Sequence, residues 1–317
     1  MNKNKYNILV TGASGFIGRA LITELLKNGH TVFGLVRKNI SSFNSQFYTN
    51  ILIEDISKPI HYKQNIKIDI IYHLAAKTHS ISKKYNKFYD VNVLGMKNIL
   101  DLSNRLKIKK IIMLSSIKVN GEGFLNNENF YSTISNANPL DHYGRSKLKA
   151  ENLLKEYSKI NNINFIILRP PLVYGAGVKG NLNKLMSYID KNIPLPVVNT
   201  NNERSLIGLR NLVSALIIVA FNDKAIGKTY LVSDDKPIRV ECLYKNIAKL
   251  MNKKLFLVKF YSSFLKILVW PLGKTKLVDK ISNSLIIDNS KIKQDTEWTP
   301  SISFIDELKY MVENRKI

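Results

Sequence analysis

The chain has 317 residues, 45% of them hydrophobic, and a formal net charge of +24. This length allows one large α/β unit or two joined lobes, and the single cysteine, Cys242, excludes an intramolecular disulfide. The excess lysine is scattered rather than gathered in one block, so we interpret it as a solvated basic surface; nucleic-acid binding is the minor alternative, and we predict no nucleic-acid partner.

No stretch of the sequence predicts a membrane segment. The first apolar run is interrupted at once by Thr11 and Gly12, which is not the pattern of a signal peptide. The most apolar later stretch, residues 264–272, contains Lys266 and Pro271 and is too short to span a bilayer. We therefore expect a cytoplasmic protein without membrane insertion, and we predict no metal site.

A glycine-spaced turn near the start joins a predicted strand at residues 7–10 to a predicted helix that begins at Gly15. Gly12 would permit the tight turn, Gly15 would let the backbone approach a pyrophosphate, and Gly18 would let helix and strand pack closely. The first-turn N–H groups would then face the phosphates. This segment predicts a dinucleotide site, to which we also assign Ser14, Phe16 and Ile17.

The end of the second predicted strand, residues 31–36, bears on the choice of cofactor. A dinucleotide site usually places an acid there for the ribose 2′-hydroxyl, whereas this chain has Arg37. Arg37 suits a 2′-phosphate, so the sequence favours NADP(H) while admitting NAD(H); an ordinary exposed arginine is the alternative. After a short third strand at 50–53, Asp55 is either an adenine contact or a turn residue, and Ile56 is assigned to the same site.

Strands and helices alternate along the next hundred residues. This alternation predicts an α/β fold with a doubly wound parallel sheet. The predicted strands lie at 68–74, 110–115 and 165–168, and the predicted helices at 90–106 and 143–161.

Beyond Pro171 the alternation loosens, which predicts a smaller mixed lobe that covers the carboxyl edge of the sheet. We expect a Rossmann domain over residues 1–170, completed by parts of 205–232, and a mainly substrate-binding lobe over 171–317. The elements predicted in this last part are helices at 181–189, 212–221 and 239–251 and a strand at 228–232.

The predicted helix 143–161 carries a possible proton-transfer pair. Tyr143 and Lys147 are four residues apart, hence on one helix face, and a lysine beside a tyrosine lowers the pKa of the phenol. Alone, this spacing arises often by chance on surface helices. Ser115 and Ser116 follow the fifth predicted strand, however, where a hydroxyl can bind the same substrate oxygen.

With these residues the chain resembles the extended short-chain dehydrogenase/reductases, the nucleotide-sugar epimerase/dehydratase family, over nearly its whole length. The resemblance implies that Ser116, Tyr143 and Lys147 are catalytic, that Asn92 supports Lys147 through backbone and water, and that the protein forms a homodimer through helices 90–106 and 143–161. The motifs that carry it are residues 11–18, His73-Leu74-Ala75-Ala76, Leu114-Ser115-Ser116, Tyr143 with Lys147, and residues 168–175.

The same resemblance implies further contacts. Leu74, Ala75, Ala76 and Pro170 join Tyr143 and Lys147 as cofactor contacts. On the substrate side, Arg204 matches the arginine for the substrate diphosphate, Asn181 lies in the segment that closes over it, Lys118 is a further contact, and residues 194–197 look like the wall for the nucleotide base.

Two departures from the family pattern narrow the expected activity. Ile117 and Lys118 replace the Asp-Glu pair of the 4,6-dehydratases, which argues against elimination. Leu172 replaces the asparagine of many family epimerases. The blocks 115–122 and 177–181 look most like a subgroup that reduces a UDP-4-keto-6-deoxy-N-acetylhexosamine to UDP-N-acetylquinovosamine or an isomer for surface polysaccharides. We predict this NAD(P)-dependent reduction at C4 of a UDP-sugar; a UDP-sugar 4-epimerase and a catalytically dead NAD(P)-sensing regulator are the alternatives.

Overall fold

The computed structural model describes residues 4–41, 43–61, 67–78, 86–123, 130–198, 202–260 and 283–315. Within these residues the central sheet has seven strands, all parallel to their neighbours, in the spatial order β3-β2-β1-β4-β5-β6-β11. They are β1 (Asn7–Thr11), β2 (Thr31–Val36), β3 (Tyr48–Leu52), β4 (Ile70–His73), β5 (Lys110–Leu114), β6 (Asn164–Arg169) and β11 (Lys228–Leu231).

Helices follow β1, β4 and β5 and continue through the second half of the chain, whereas no helix lies between β2 and β3 or between β3 and β4 in the described residues. Two further short pairs of strands are parallel, β7 (Leu172–Tyr174) with β10 (Leu206–Gly208) and β8 (Leu195–Val198) with β13 (Leu257–Phe260), whereas β9 (Glu203–Arg204) and β12 (Ile238–Arg239) are antiparallel. The helices are α1 (Phe16–Lys27), α2 (Asn86–Tyr89), α3 (Gly95–Arg105), α4 (His142–Asn161), α5 (Asn181–Asp190), α6 (Leu209–Ala220), α7 (Val240–Leu250), α8 (Ser290–Thr296) and α9 (Phe304–Glu313).

The strand order confirms the predicted doubly wound sheet. The chain builds β1, β2 and β3 outward in one direction, then returns to place β4, β5 and β6 on the other side of β1. The order therefore reverses between β1 and β4, and ligands of open α/β sheets bind at the carboxyl ends of the strands at such a point. The glycine turn after β1 lies there.

The sheet is covered on both faces because its strands alternate between two apolar cores. Ile8 and Val10 belong to one core, whereas Leu9, which points to the opposite face, belongs to the other. The first core contains residues of α1 and α6, and the second contains residues of α3 and α4. A third apolar cluster joins α5, α7 and α9 in the second half of the chain.

Residues after position 170 contribute to the sheet and its cover. β11 is the edge strand, and α6 packs in the first core. Trp298, which is 3% exposed, also lies in the first core, a contribution that the sequence did not predict. We keep the division at residue 170 as a proposal, with these later segments crossing it.

The observed elements differ from the predicted ones at several points. The helix predicted over residues 90–106 begins as a π-helical stretch, Asp90–Leu94, and continues as α3. The short helix α2, directly before it, was not predicted. Neither α8 nor α9 was predicted, and the apolar stretch 264–272 lies outside the described residues. In the part of the chain that the structure describes, no helix is long and apolar enough to cross a membrane.

Candidate active site

Two glycines at the junction of β1 and α1, Gly12 in the turn and Gly18 in the helix, have no space for a side chain. Gly12 has φ +69°, and a Cβ there would lie 2.8 Å from the backbone nitrogen of Ala75. A Cβ on Gly18 would lie 2.2 Å from the carbonyl oxygen of Gly12, so α1 can pack this closely only with glycine. Gly15 occupies the N-cap of α1, and no side chain caps this helix. Its first-turn N–H groups are thus placed to bind an anion.

A cleft of about 510 Å³ opens beside this turn, at the carboxyl ends of β1 to β4. Its volume, glycine-lined floor and uncapped helix start fit a dinucleotide. Phe16 and Ile17 are not in its lining, because they pack against the first core. Nine of the residues predicted to bind cofactor line the cleft: Gly12, Ser14, Gly15, Arg37, Asp55, Ile56, Leu74, Ala75 and Ala76.

Arg37 and Asp55 lie together on the rim of this cleft. Asp55 accepts hydrogen bonds from the backbone nitrogen of Ser57 at 2.9 Å and from its hydroxyl at 2.7 Å. These bonds lower the pKa of Asp55, and the positive charge of Arg37 lowers it further. The Asp55 carboxylate is therefore ionised and engaged in a turn, whereas Arg37 is exposed at the cleft.

A buried histidine ties the two strands on either side of the switch point. Thr11 Oγ1 lies 3.0 Å from His73 Nδ1 and accepts a hydrogen bond from the backbone nitrogen of Ala75 at 3.1 Å. Burial lowers the pKa of His73 to about 3, and the nearby charge of Lys147 also lowers it, so the ring is neutral near pH 7. The pair holds the segment after β4 against the glycine turn.

Ser116 and Tyr143 meet on the other side of the site. Ser116 caps a short 3₁₀ turn, Ile117–Val119, and its side chain lies close enough to the Tyr143 phenol to influence its pKa. Burial raises the pKa of Tyr143 to about 12, although the charge of Lys118 and the polar Ser116 side chain act in the opposite direction. Near neutral pH the phenol therefore keeps its proton and can donate it.

The expected effect of Lys147 on this phenol is not what the structure shows. Lys147 Nζ donates a hydrogen bond to the carbonyl oxygen of Leu114 at 2.6 Å, at the end of β5. Burial lowers the pKa of this amine to about 8. The cation beside the phenol is instead Lys118, whose Nζ lies 5.7 Å from the centre of the Tyr143 ring. Tyr143 and Lys147 are four residues apart in α4, as predicted, but the Lys147 amine points to the end of β5 rather than to the phenol.

Two carboxylates hold Lys118 in this place. Its Nζ lies 2.5 Å from Asp141 Oδ2 and 2.9 Å from Glu122 Oε1. Burial by itself would lower the pKa of Lys118, but the hydrogen bonds with Asp141 and Glu122 raise it. Glu122 also acts on Arg204, where its charge opposes the pKa decrease caused by burial. Glu122 thus brings two predicted substrate residues, Lys118 and Arg204, to one side of the site.

Asn92 lies in the π-helical stretch, a feature often found at functional sites. Its Oδ1 accepts a hydrogen bond from the backbone nitrogen of Lys77 at 2.8 Å, and its Nδ2 donates one to the Lys77 carbonyl oxygen at 3.2 Å. It also donates to Ser146 Oγ at 2.8 Å. Asn92 thus links Ser146 of α4, the residue before Lys147, to Lys77 in the segment after β4. The predicted support of Lys147 by Asn92 through water stays a prediction.

The remaining predicted substrate residues lie in the second half of the chain. Asn181 is exposed at the first position of α5. Arg204 is half-buried and donates to the carbonyl oxygen of Asn283 at 3.0 Å. Leu195 and Val197 are buried, so only the proline side chains of residues 194–197 are exposed. Pro170 is buried, and its carbonyl accepts from the backbone nitrogen of Ile117 at 2.9 Å.

A buried charge network beneath Ser116 was missed in the sequence. Glu151 is hydrogen-bonded with the Ser115 hydroxyl and binds Arg169 through two bonds, at 2.9 Å from Nε and 2.5 Å from Nη2. Arg169 Nη1 also donates to Asn120 Oδ1 at 3.0 Å. The sequence pattern that could have revealed this network is the four-residue spacing of Tyr143, Lys147 and Glu151, which puts an acid one turn beyond the lysine on the same helix face.

Comparisons with known proteins agree with this geometry. A model of the NAD dependent epimerase/dehydratase family matches residues 8–233. A UDP-glucose 4-epimerase of Vibrio cholerae is 32% identical over 301 residues, which cover 93% of this chain and 90% of that protein. An N-acetyl-alpha-D-glucosaminyl-diphospho-ditrans,octacis-undecaprenol 4-epimerase of Escherichia coli O157:H7 is 30% identical over 253 residues, covering 78% and 73%.

Solved structures share the fold at lower sequence identity. The UDP-glucuronic acid 4-epimerase of Bacillus cereus in complex with NAD has a TM-score of 0.78 and 21% identity, with 97% of this chain and 98% of that chain covered. RMD from Pseudomonas aeruginosa complexed with NADPH has a TM-score of 0.75 and 17% identity, with 97% and 99% covered. From the family match and the two curated relatives, this chain belongs to the NAD dependent epimerase/dehydratase family.

Proposed function

We propose that this protein reduces the 4-keto group of a UDP-activated 6-deoxy-N-acetylhexosamine to UDP-N-acetylquinovosamine or its C4 isomer, with NADPH as the favoured reductant. The observation that carries the proposal is the meeting of Ser116 and Tyr143, with Lys118 Nζ 5.7 Å from the centre of the phenol ring, at a place where burial keeps the phenol protonated. A keto reduction consumes one hydride and one proton, and this pair is placed to supply the proton.

In the proposed reaction Ser116 and Tyr143 bind the C4 carbonyl oxygen through their hydroxyls. Gly12, Gly15 and Arg37 would hold a nicotinamide cofactor in the cleft, and this cofactor, when bound, would supply the hydride for C4. Tyr143 transfers its phenolic proton to the oxygen, and the carbonyl becomes an alcohol. Lys118, whose Nζ lies near the ring, stabilises the phenolate that remains until it regains a proton.

The carboxylates near Tyr143 support reduction over elimination. A 4,6-elimination needs an acid and a base at C5 and C6 of the sugar. Asp141 and Glu122 lie within 3 Å of Lys118 Nζ, at 2.5 Å and 2.9 Å, and are ion-paired with it. They therefore neutralise a cation rather than forming a free acid–base pair, in agreement with the absence of an acid pair at Ile117 and Lys118.

Arg37 supports the preference for NADPH. It is exposed on the rim of the cleft, and the nearest acid, Asp55, is engaged by Ser57. A guanidinium attracts a 2′-phosphate, and no acid follows β2 directly to repel one. A cytoplasmic location accords with the need for a reduced cofactor pool. On the substrate side, we assign Arg204 to the diphosphate of the UDP-sugar, with Asn181 and Lys118 as further contacts.

A second candidate is a UDP-sugar 4-epimerase, because both curated relatives described above carry 4-epimerase names. An epimerase must first remove the proton of the C4 hydroxyl, which requires the Tyr143 phenolate. The pKa of Tyr143, raised to about 12, disfavours that starting state.

The two candidates differ in their redox balance. Purified protein is incubated with UDP-4-keto-6-deoxy-N-acetylglucosamine and either NADPH or NADH, and cofactor oxidation and sugar product are measured together. The reductase proposal predicts one NADPH oxidised for each keto sugar consumed. Interconversion of UDP-N-acetylglucosamine and UDP-N-acetylgalactosamine without net redox change, by protein purified with NAD already bound, would refute it.

A further inference from the structure

A second cavity, of about 350 Å³, shares no lining residue with the cofactor cleft. It is bounded by the segment 133–137, by α4, by the end of β6, by the edge strand β11 and by α8. None of its lining residues belongs to the predicted cofactor, catalytic or substrate set. Its volume is at the low end for small-molecule sites, and its concave form does not suit a polynucleotide.

Four cationic side chains from four separate elements line this cavity: Lys155 of α4, Arg169 of β6, Lys228 of β11 and Lys291 of α8. These residues lie far apart in sequence, so the tertiary fold alone collects them. Such convergence in a concavity differs from the scattered lysines of a solvated basic surface.

Only two carboxylates are paired with these four cations in the described part of the chain. Glu151 binds Arg169 and lies 3.9 Å from Lys155. Asp295 lies 2.9 Å from Lys228 and 3.2 Å from Lys291. Each of the four cations is thus in an ion pair, but each carboxylate is shared by two of them, so this group keeps a net charge of +2 around the cavity.

The rest of the lining suits an oxyanion. Thr133 and Ser135 place hydroxyls on one wall, and tetrahedral phosphate oxygens bind both hydroxyl donors and lysine ammonium groups. Burial lowers the pKa of Lys155; the charge of Glu151 opposes this decrease, and the charge of Arg169 adds to it. A bound anion would add negative charge to a group of four cations that share two carboxylates.

We propose that this cavity is a binding site for a small phosphate-bearing anion, separate from the active site. The shared chemistry is that of a phosphate or diphosphate group, either free or carried by a small organic molecule. Lys155 supplies an ammonium group from α4 and Lys291 one from α8, and Arg169 is the most buried of the four cations.

Isothermal titration calorimetry with inorganic pyrophosphate tests this site. The intact protein is first saturated with NADP and UDP, so that phosphate groups already occupy the cofactor cleft and the expected substrate site. The variants are Lys155→Met and Lys291→Met, and the matched control is Lys159→Met, an exposed lysine one turn further along α4. Thermal unfolding verifies that each variant is folded.

We expect Lys155→Met and Lys291→Met each to weaken pyrophosphate binding by about tenfold, as for loss of one charge-assisted contact, and Lys159→Met to change the Kd by less than about twofold. Equal affinities in all four proteins, or no binding at millimolar pyrophosphate, would overturn the proposal. Titration with ADP separates the two sources: tighter, Lys155-dependent binding of ADP than of pyrophosphate identifies an organic phosphate, and the reverse order identifies a free one.

Discussion

Glu151→Gln is the sharpest single test of the buried network beneath the active site. Glu151 is fully buried and binds both the Ser115 hydroxyl and the Arg169 guanidinium. Glutamine keeps the size of the side chain but removes its charge. Arg169, which is 6% exposed, would then carry a buried charge without its bidentate partner.

Breaking a buried ion pair by removing one partner costs about 3–5 kcal/mol, because the other charge stays buried and uncompensated. Lys155, 3.9 Å from Glu151 and half-buried, adds a second cation that loses its acid. We therefore expect the free energy of unfolding to fall by about 3 kcal/mol or more. A domain of ordinary stability, about 5–15 kcal/mol, would still fold.

Urea unfolding followed by circular dichroism measures this loss as a lower midpoint with an unchanged slope. The matched control is Glu156→Gln, an exposed acid on the same helix, which we expect to stay within about 0.5 kcal/mol of the parent. Adding Arg169→Met to Glu151→Gln should restore part of the loss, since it removes the orphaned charge. A cost for Glu151→Gln below about 1 kcal/mol, no larger than that of the control, would refute the reasoning.

Four further outcomes follow from the site. Tyr143→Phe should lower turnover by at least about 100-fold while cofactor binding, measured by fluorescence, is kept; retained turnover rejects the proton donor. Arg37→Asp should shift the ratio of NADPH to NADH affinity toward NADH, and an unchanged ratio would mean that Arg37 does not contact the cofactor. The pKa of His73 is lowered to about 3 in the folded state, so the unfolded chain binds the extra proton below about pH 6.5; the parent should lose about 2 kcal/mol of stability between about pH 7 and 5, and His73→Asn should not show this loss. Light scattering at micromolar concentration should give a homodimer through α3 and α4, and a monomer would contradict it.

The sheet could be predicted from sequence because its signals are local. β2 was predicted with its observed bounds, and the other central strands differ by one to three residues at their ends. Buried parallel strands are short apolar runs, and β1, β4 and β5 are each followed by a helix with its own periodicity. The glycine turn was equally readable, since backbone positions without room for a Cβ admit only glycine.

The edges of the second lobe were not predictable in the same way. Strands such as β9 and β12 are two residues long, and their pairing is fixed by tertiary contacts rather than by a periodic pattern. α8 has seven residues, mostly polar, and is held by Ile292 in the first core. A helix this short has little stability of its own, so its sequence carries a weak signal.

In the candidate active site, the sequence pattern predicted which residues lie close together but not where their side chains point. From the sequence, Lys118 was predicted to be a substrate contact and marked one of the two positions where an acid pair is missing. In the structure its ammonium stands beside Tyr143, and carboxylates from Glu122 and Asp141 hold it there. Asp141 also caps α4 by accepting a hydrogen bond from the backbone nitrogen of Gly144 at 2.7 Å, so the residue at the start of α4 also fixes the cation. An ion-paired lysine thus stands at a position where the 4,6-dehydratase pattern has an acid, and its charge lowers the pKa of Tyr143. In the proposed keto reduction the same charge would favour the phenolate that remains after proton donation.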